Sequence, residues 1–142
     1  MRRLILGCLI VTGGILAGGA SARAESPAEI ERGLETVARQ RVPGFVAFSP
    51  QRGEQLFKTR NGDWSCASCH GPDPLRPGRH IRTGKVISPL APAADPERFT
   101  STAKVEKWFA RNCNDVLGRA CTPVEKGDVL AWLLSLGHRG GP

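Results

Sequence analysis

The sequence predicts an all-α domain, and three observations carry that prediction. Two segments begin with a capping box that has proline at the first helical position, Ser26-Pro27-Ala28-Glu29 and Thr122-Pro123-Val124-Glu125. Apolar residues recur at helical spacing after each of these starts. The chain also has 17 glycines, 11 prolines and no tyrosine, which indicates a loop-rich fold with a modest core. Such a fold benefits from a large apolar group to pack around.

The first residues have the pattern of a secretory signal peptide. Arg2 and Arg3 precede an apolar run from Leu4 to Ala17, and Ala22-Arg23-Ala24 has the small-x-small form of a cleavage site. We therefore assign residues 1–24 to a cleaved signal peptide and place the mature protein in the periplasm. No stable membrane anchor is expected, because the run is shorter than the roughly 20 residues of a spanning helix. Cys8 lies too early in the run for lipid attachment.

Cleavage after Ala24 leaves about 118 residues, the length of one domain, and lowers the net charge from +7 to about +4. This mild positive charge favours a partner with an acidic face. It excludes nucleic acid as a partner, because a nucleic-acid-binding domain carries a dense basic stripe.

The helices are predicted in two units. Residues 25–48 hold an N-terminal helix from Pro27 to about Gln40, with Ile30, Leu34 and Val37 on one face, and a linker. Residues 49–138 begin with a helix from Pro50 to about Thr59, and a long Pro/Gly-rich stretch covers 71–99. A third helix follows over 102–112, and a last helix begins at Pro123 and stops at Gly137. The third helix is expected to turn Val105, Trp108 and Phe109 inward, and the apolar face of the last helix is Val129, Leu130, Leu133, Leu134 and Leu136.

Cys66-Ala67-Ser68-Cys69-His70 is a C-x-x-C-H motif, the attachment signature of c-type haem. Two thiols three residues apart add to the two vinyl groups of haem, and the adjacent histidine binds the iron. A redox disulfide would require a βαβ context, and a zinc site would require a second pair of ligands; neither pattern is present. We therefore predict one covalent haem c on Cys66 and Cys69, with His70 as the proximal ligand.

The helices around this motif follow the order of a class I cytochrome c. Gly53 and Phe57 lie before the motif, and Trp132 and Leu136 lie near the C-terminus, where the terminal helices of such proteins cross. The predicted fold is thus a small class I cytochrome c domain wrapped around one haem, with an extra N-terminal helix.

The sixth ligand of the iron cannot be methionine in the mature chain, because the one methionine is Met1. The candidates are His80, Lys85, Asn112 and His138. Asn112 precedes Cys113, which can pair with Cys121 in an oxidising compartment and hold Asn112 or Asn114 near the iron. At this point the alternative that Asn112 only caps a helix stays open.

Further residues resemble the sphaeroides haem protein (SHP) family of class I cytochromes c. The similarity covers about residues 50–136 and is carried by Arg82-Thr83-Gly84-Lys85, Pro89-Leu90-Ala91-Pro92, Asp95-Pro96-Glu97-Arg98-Phe99-Thr100, Val105-Glu106-Lys107-Trp108, Arg111-Asn112-Cys113-Asn114, Gly118-Arg119, Cys121-Thr122, Glu125-Lys126 and Leu130-Ala131-Trp132-Leu133.

The resemblance implies that Asn112 binds ferric iron and leaves on reduction, so that ferrous haem can bind O2, NO or CO. It also implies a Cys113–Cys121 disulfide and an electron-transfer partner such as a dihaem cytochrome c. His80 departs from the family pattern. The main hypothesis is therefore an electron-transfer protein with a redox-gated ligand site; a haem enzyme that reduces O2, NO or peroxide and a bis-His carrier through His80 are the alternatives. No catalytic acid or base can be assigned, so an enzyme is the less favoured of these classes.

Overall fold

Five α-helices and one short hairpin form the part of the chain that the computed structural model describes, residues 23–138, with side chains described over 23–137. The bounds are α1 Pro27–Arg41, α2 Pro50–Lys58, α3 Ala67–His70, β1 Gly78–Arg79, β2 Val86–Ile87, α4 Thr102–Leu117 and α5 Pro123–Ser135, followed by a 3₁₀ turn Leu136–His138. The predicted signal peptide lies outside the described residues except for its last two. No helix within 23–138 is long and apolar enough to cross a membrane.

The helix starts agree with the sequence prediction. Ser26 and Thr122 both form complete capping boxes, with Glu29 and Glu125 as their respective partners. A serine side chain likewise caps α2 and α4, through Ser49 and Ser101. Each cap satisfies a backbone N–H that has no partner within its helix.

The crossing of α2 over α5 is the most extensive helix–helix contact of the described chain. A Cβ atom on Gly53 would lie 2.0 Å from the carbonyl oxygen of Asp128, so only glycine permits this approach. The buried Asp128 carboxylate fixes the start of α2: it accepts hydrogen bonds from Ser49 N at 2.7 Å and from Arg52 Nε and Nη2 at 2.7 and 2.8 Å.

The core consists of two apolar clusters that share Phe99 and Phe109. The first contains Phe57, Ala91, Val129, Trp132 and Leu133, and Cys66 packs against it. The second contains Ile30, Leu34, Val105 and Leu130, so the extra N-terminal helix α1 is packed on α5 by its own apolar face.

Helix α4 corrects two sequence predictions. It does not end at Asn112 but runs to Leu117, and Gly118 ends it in the left-handed conformation at φ 67°. Asn112 is therefore an interior helical residue and not a cap. Trp108 is 49% exposed instead of facing inward, with Lys107 Nζ and Arg111 Cζ each 5.8 Å from its ring. Trp108 lies four residues before Asn112 and shares its side of α4, next to the line of Val105, Phe109 and Cys113, and flanking cations suit an exposed indole.

The stretch over 71–99 contains a two-stranded antiparallel hairpin that the sequence did not predict. Gly78 pairs with Ile87 and Arg79 with Val86. A Cβ on Gly78 would lie 2.3 Å from the Cys69 carbonyl oxygen, so the hairpin rests directly on α3.

At the N-terminus of the described chain, Glu25 is bound to the start of α4. Its backbone N–H donates to the Thr100 carbonyl at 3.1 Å, and its carboxylate accepts from Thr102 Oγ1 at 2.7 Å. This contact joins the segment before α1 to the helix that carries Asn112.

Candidate haem site

The C-x-x-C-H motif forms one tight helical turn. His70 N–H donates to the Cys66 carbonyl at 3.0 Å, and Ser65 and Ser68 exchange side-chain-to-backbone bonds that fix the entry to the turn. Cys66 and Cys69 are both free thiols. Residues three apart lie on the same side of a helix, so both thiols can reach one flat group.

The protonation of Cys66 argues against a redox disulfide at this motif. Burial raises the pKa of its thiol to about 11. Redox-active cysteines in C-x-x-C motifs have lowered pKa values, because the thiolate is their reactive form. Residues 23–137 also contain no group of three or more His, Cys, Asp or Glu side chains that could hold a zinc ion.

His70 has the environment of a neutral metal ligand. Its ring lies 6.1 Å from Phe57, which in turn lies 4.9 Å from Trp132. Burial, and second the positive charge of Arg98, lower the pKa of His70 to about 4, so the imidazole is neutral near pH 7. Neutral imidazole is the form that binds a metal ion.

Two buried ring nitrogens in the described chain have no hydrogen-bond partner among its residues, His70 Nδ1 and Trp132 Nε1. Buried donors are normally satisfied. Together with two free thiols on one turn, they fit a site that is completed by a polar-edged, apolar group such as haem.

Arg98 lies near this site, and its place in the family-like segment was the one sequence signal that pointed to it. Its guanidinium donates to the carbonyls of Pro89 and Ser88, both at 2.8 Å, and lies 3.3 Å from the Asp95 carboxylate. The loop after the hairpin thus holds a positive charge near His70.

Asn112 lies on α4, half-buried, beside the buried Cys113. The Cys113–Cys121 disulfide is present, with 5.6 Å between the two Cα atoms, and it ties the last turns of α4 to the loop before α5. Asn114 is exposed and points away from the inward side of the helix. Of the two asparagines, Asn112 therefore has the better access to the interior.

Two ion pairs lie around the loop between α4 and α5. Arg119 donates to both carboxylate oxygens of Glu125, at 2.8 and 2.7 Å, and Lys126 pairs with Glu106 across α5 and α4. The Arg119 bond, together with the bonds from Thr122, lowers the pKa of Glu125 to about 2.

Two of the other candidate ligands lie in the turn of the hairpin. His80 lies in the turn of the hairpin, where its backbone N–H donates to the Lys85 carbonyl at 2.8 Å and its Nδ1 accepts from Thr83 N at 3.3 Å. Lys85 is exposed in the same turn. The side chain of His138 lies outside the described residues.

Comparison with known proteins identifies the family. Residues 43–133 match the family described as "Domain of unknown function (DUF1924)". The cytochrome c-type protein SHP of Cereibacter sphaeroides is 49% identical over 129 residues, which cover 87% of this chain and 95% of SHP. The chain belongs to the SHP family of c-type cytochromes. It is accordingly a haem c protein, and the resemblance found in the sequence is confirmed.

Solved structures of SHP-like proteins confirm the fold. The structure of oxidised SHP, described as an oxygen-binding cytochrome c, matches with a TM-score of 0.69 at 47% identity and covers 79% of this chain and 98% of that chain. The solution structure of cytochrome c'' from Methylophilus methylotrophus, a study of haem-ligand detachment, matches with a TM-score of 0.68 at 36% identity over 78% of this chain and 94% of that one. The all-α cytochrome c fold predicted from the sequence is thereby confirmed.

Proposed function

We propose that this SHP-family protein is a periplasmic monohaem cytochrome c whose distal ligand leaves on reduction and admits a diatomic gas. Haem, when bound, would supply an iron that exchanges one electron. Cys66 and Cys69 hold the haem through thioether bonds, and neutral His70 binds the iron on the proximal side. Asn112 binds ferric iron on the distal side.

The observation that carries the proposal is the position of Asn112 in a chain whose one methionine is Met1. Asn112 is half-buried on α4 and is followed by a buried disulfide cysteine, so its backbone is held in place. A carboxamide oxygen is a hard, neutral donor that binds Fe(III) better than the softer Fe(II). Asn112 would therefore hold ferric iron more strongly than ferrous iron and would be released on reduction.

The relatives support this sequence of events. SHP is described as oxygen-binding, and the study of cytochrome c'' concerns the detachment of a haem ligand. We combine the two for this chain: the distal ligand is released on reduction, and the freed site binds O2, NO or CO. The signal-peptide pattern of residues 1–24 supports a periplasmic location.

The test compares optical spectra of the oxidised and dithionite-reduced protein, with and without carbon monoxide. We expect six-coordinate ferric haem, five-coordinate high-spin ferrous haem and rapid binding of carbon monoxide to the reduced form. Asn112→Ala should change the ferric spectrum and leave the reduced spectrum nearly unchanged.

Asn114→Ala is the matched control, because it removes the same carboxamide two residues further along α4 from an exposed position. His80→Ala tests the bis-His alternative. A ferric spin state that changes in His80→Ala but not in Asn112→Ala would show that Asn112 is not the ligand. A pyridine haemochrome assay that finds no covalent haem would overturn the assignment of Cys66 and Cys69.

A further inference from the structure

The hairpin that rests on α3 carries a dense positive charge. Four cations recur every third residue, Arg76, Arg79, Arg82 and Lys85, and residues 74–94 contain no acidic side chain. Within the described chain, the one ion pair of these cations is a 3.9 Å contact between Arg76 and Asp73, and the Arg76 side chain is 82% exposed. No other carboxylate of the described chain pairs with these cations, although Arg82 Cζ lies 5.9 Å from the Trp64 ring centroid.

The same segment concentrates exposed apolar side chains. Leu75, Ile81 and Val86 are 38%, 50% and 58% exposed, and only two other large apolar side chains of the described chain, Val46 and Trp108, are exposed to this degree. Apolar side chains ringed by cations are typical of a surface that a protein covers. We call residues 75–86 the basic hairpin.

The basic hairpin is also held in shape before any partner binds. Besides the strand pairing, Gly84 N–H donates to the His80 carbonyl at 2.8 Å, and Arg79 Nη1 donates to the Gly84 carbonyl at 2.7 Å. A preformed surface loses little conformational entropy on binding, which favours fast association.

We propose that the basic hairpin is the docking surface for an electron-transfer protein with an acidic face. This inference rests on the proposed haem attachment, because Gly78 contacts the backbone of Cys69 and His70 directly. A partner bound here is separated from the haem-bearing turn by the backbone of the hairpin alone. One electron passes from the reduced partner to the ferric iron, and no proton or bond is exchanged at the surface.

The test uses a plant-type [2Fe–2S] ferredoxin as the acidic one-electron donor. Its potential of about −400 mV makes electron transfer to the haem favourable. Stopped-flow spectroscopy measures the second-order rate constant of haem reduction over a series of salt concentrations. Oppositely charged surfaces give a rate that falls as ionic strength rises.

The variant Arg76→Gln/Arg82→Gln/Lys85→Gln removes three charges and keeps Arg79, whose guanidinium bonds within the hairpin. We expect the rate at low ionic strength to fall about tenfold and its salt dependence to flatten. The control Arg32→Gln/Arg41→Gln/Lys104→Gln changes the net charge equally at exposed positions on α1 and α4, and should lower the rate less than twofold.

Amide chemical-shift mapping of the 15N-labelled protein with ferredoxin gives a second readout that requires no electron transfer. Shifts should cluster in the basic hairpin and on α3, and they report on docking even if Asn112 proves not to be the iron ligand. Equal rates in the two triple variants, or shifts centred elsewhere, would overturn the proposal. Binding to phosphatidylglycerol vesicles that needs the hairpin cations, with an unchanged ferredoxin rate, would assign the surface to a membrane instead.

Discussion

The close approach of α2 and α5 makes Gly53→Ala the most discriminating stability variant. The added Cβ would lie 2.0 Å from the Asp128 carbonyl oxygen, 2.4 Å from its carbonyl carbon and 2.8 Å from Val129 N. These are backbone atoms of a helix, so no side chain can turn away to make room. Restoring an ordinary contact of 3.4 Å requires the helices to separate by about 1.4 Å.

Two opposing effects determine how much Gly53→Ala changes the free energy of unfolding. Overpacking a core typically costs about 1–3 kcal/mol, and the upper end applies here because Phe57 and Trp132 lie beside the crossing. Replacing glycine with alanine inside a helix contributes about 1 kcal/mol in the other direction. We expect a net loss of about 2 kcal/mol in the free energy of unfolding, or about 1 M in the urea midpoint.

Gly33→Ala is the matched control, because Gly33 lies inside α1 and an added Cβ there has no atom within 4 Å. The same chemical change should stabilise the protein by about 0.5–1 kcal/mol at this position. Urea unfolding of the haem-loaded protein, followed by circular dichroism at 222 nm, measures both variants. If Gly53→Ala is as stable as Gly33→Ala, the close approach of Gly53 to the Asp128 backbone does not constrain the packing of α2 on α5.

Three further predictions concern the distal loop and the haem. Replacing Cys113 and Cys121 with serine should lower the free energy of unfolding by about 2.6 kcal/mol, because the disulfide closes a nine-residue loop. Alkylation of the oxidised wild type should detect no free thiol at either position. Two alkylated thiols would contradict this. Glu125 has a lowered pKa, so its stabilisation is complete above about pH 4.5 and is lost as the pH falls towards 2. The full pKa shift corresponds to about 3 kcal/mol of stability, which solvent screening around Arg119 reduces to about 1–2 kcal/mol. The free energy of unfolding of Glu125→Gln, measured from about pH 4.5 to 2, should lack this loss. The reduction potential should lie below that of Met-ligated cytochromes c, and a redox titration that gives a Met-like midpoint would contradict the ligand assignment.

The sequence predicted the helix starts and the turn of the C-x-x-C-H motif because short-range chemistry determines both. A capping box is complete within four residues, and C-x-x-C-H within five. The crossing of α2 and α5 could also be anticipated, since Gly53 marked a place where two backbones approach.

The sequence did not predict features that depend on distant contacts. Helix α4 is a different case, because its continuation past Asn112 has local signals: Val116 and Leu117 extend its half-buried side, and Gly118 provides the left-handed end. Phe99 takes a positive φ of 55°, unusual for a non-glycine residue, as its side chain packs against both core clusters. No local pattern announces such a conformation.

The polar contacts were hidden for a similar reason. Asp128 occurs on an otherwise apolar face of α5. Its role depends on bonds from Ser49 and Arg52, which lie 79 and 76 residues away in the sequence. The basic hairpin is held by pairing over a few residues, and its strands are too short for a periodicity of two to be recognised.

The bond between Glu25 and the start of α4 affects how the protein should be prepared. With cleavage after Ala24, the nitrogen that donates to the Thr100 carbonyl becomes the charged α-ammonium group, which makes a stronger hydrogen bond than a neutral amide does. Residues left by an N-terminal purification tag would remove that charge and leave the carboxylate free to bind Thr102 as it does here. A tag at the C-terminus leaves the charge at Glu25 intact. The two preparations should therefore differ in thermal stability even where their haem spectra agree.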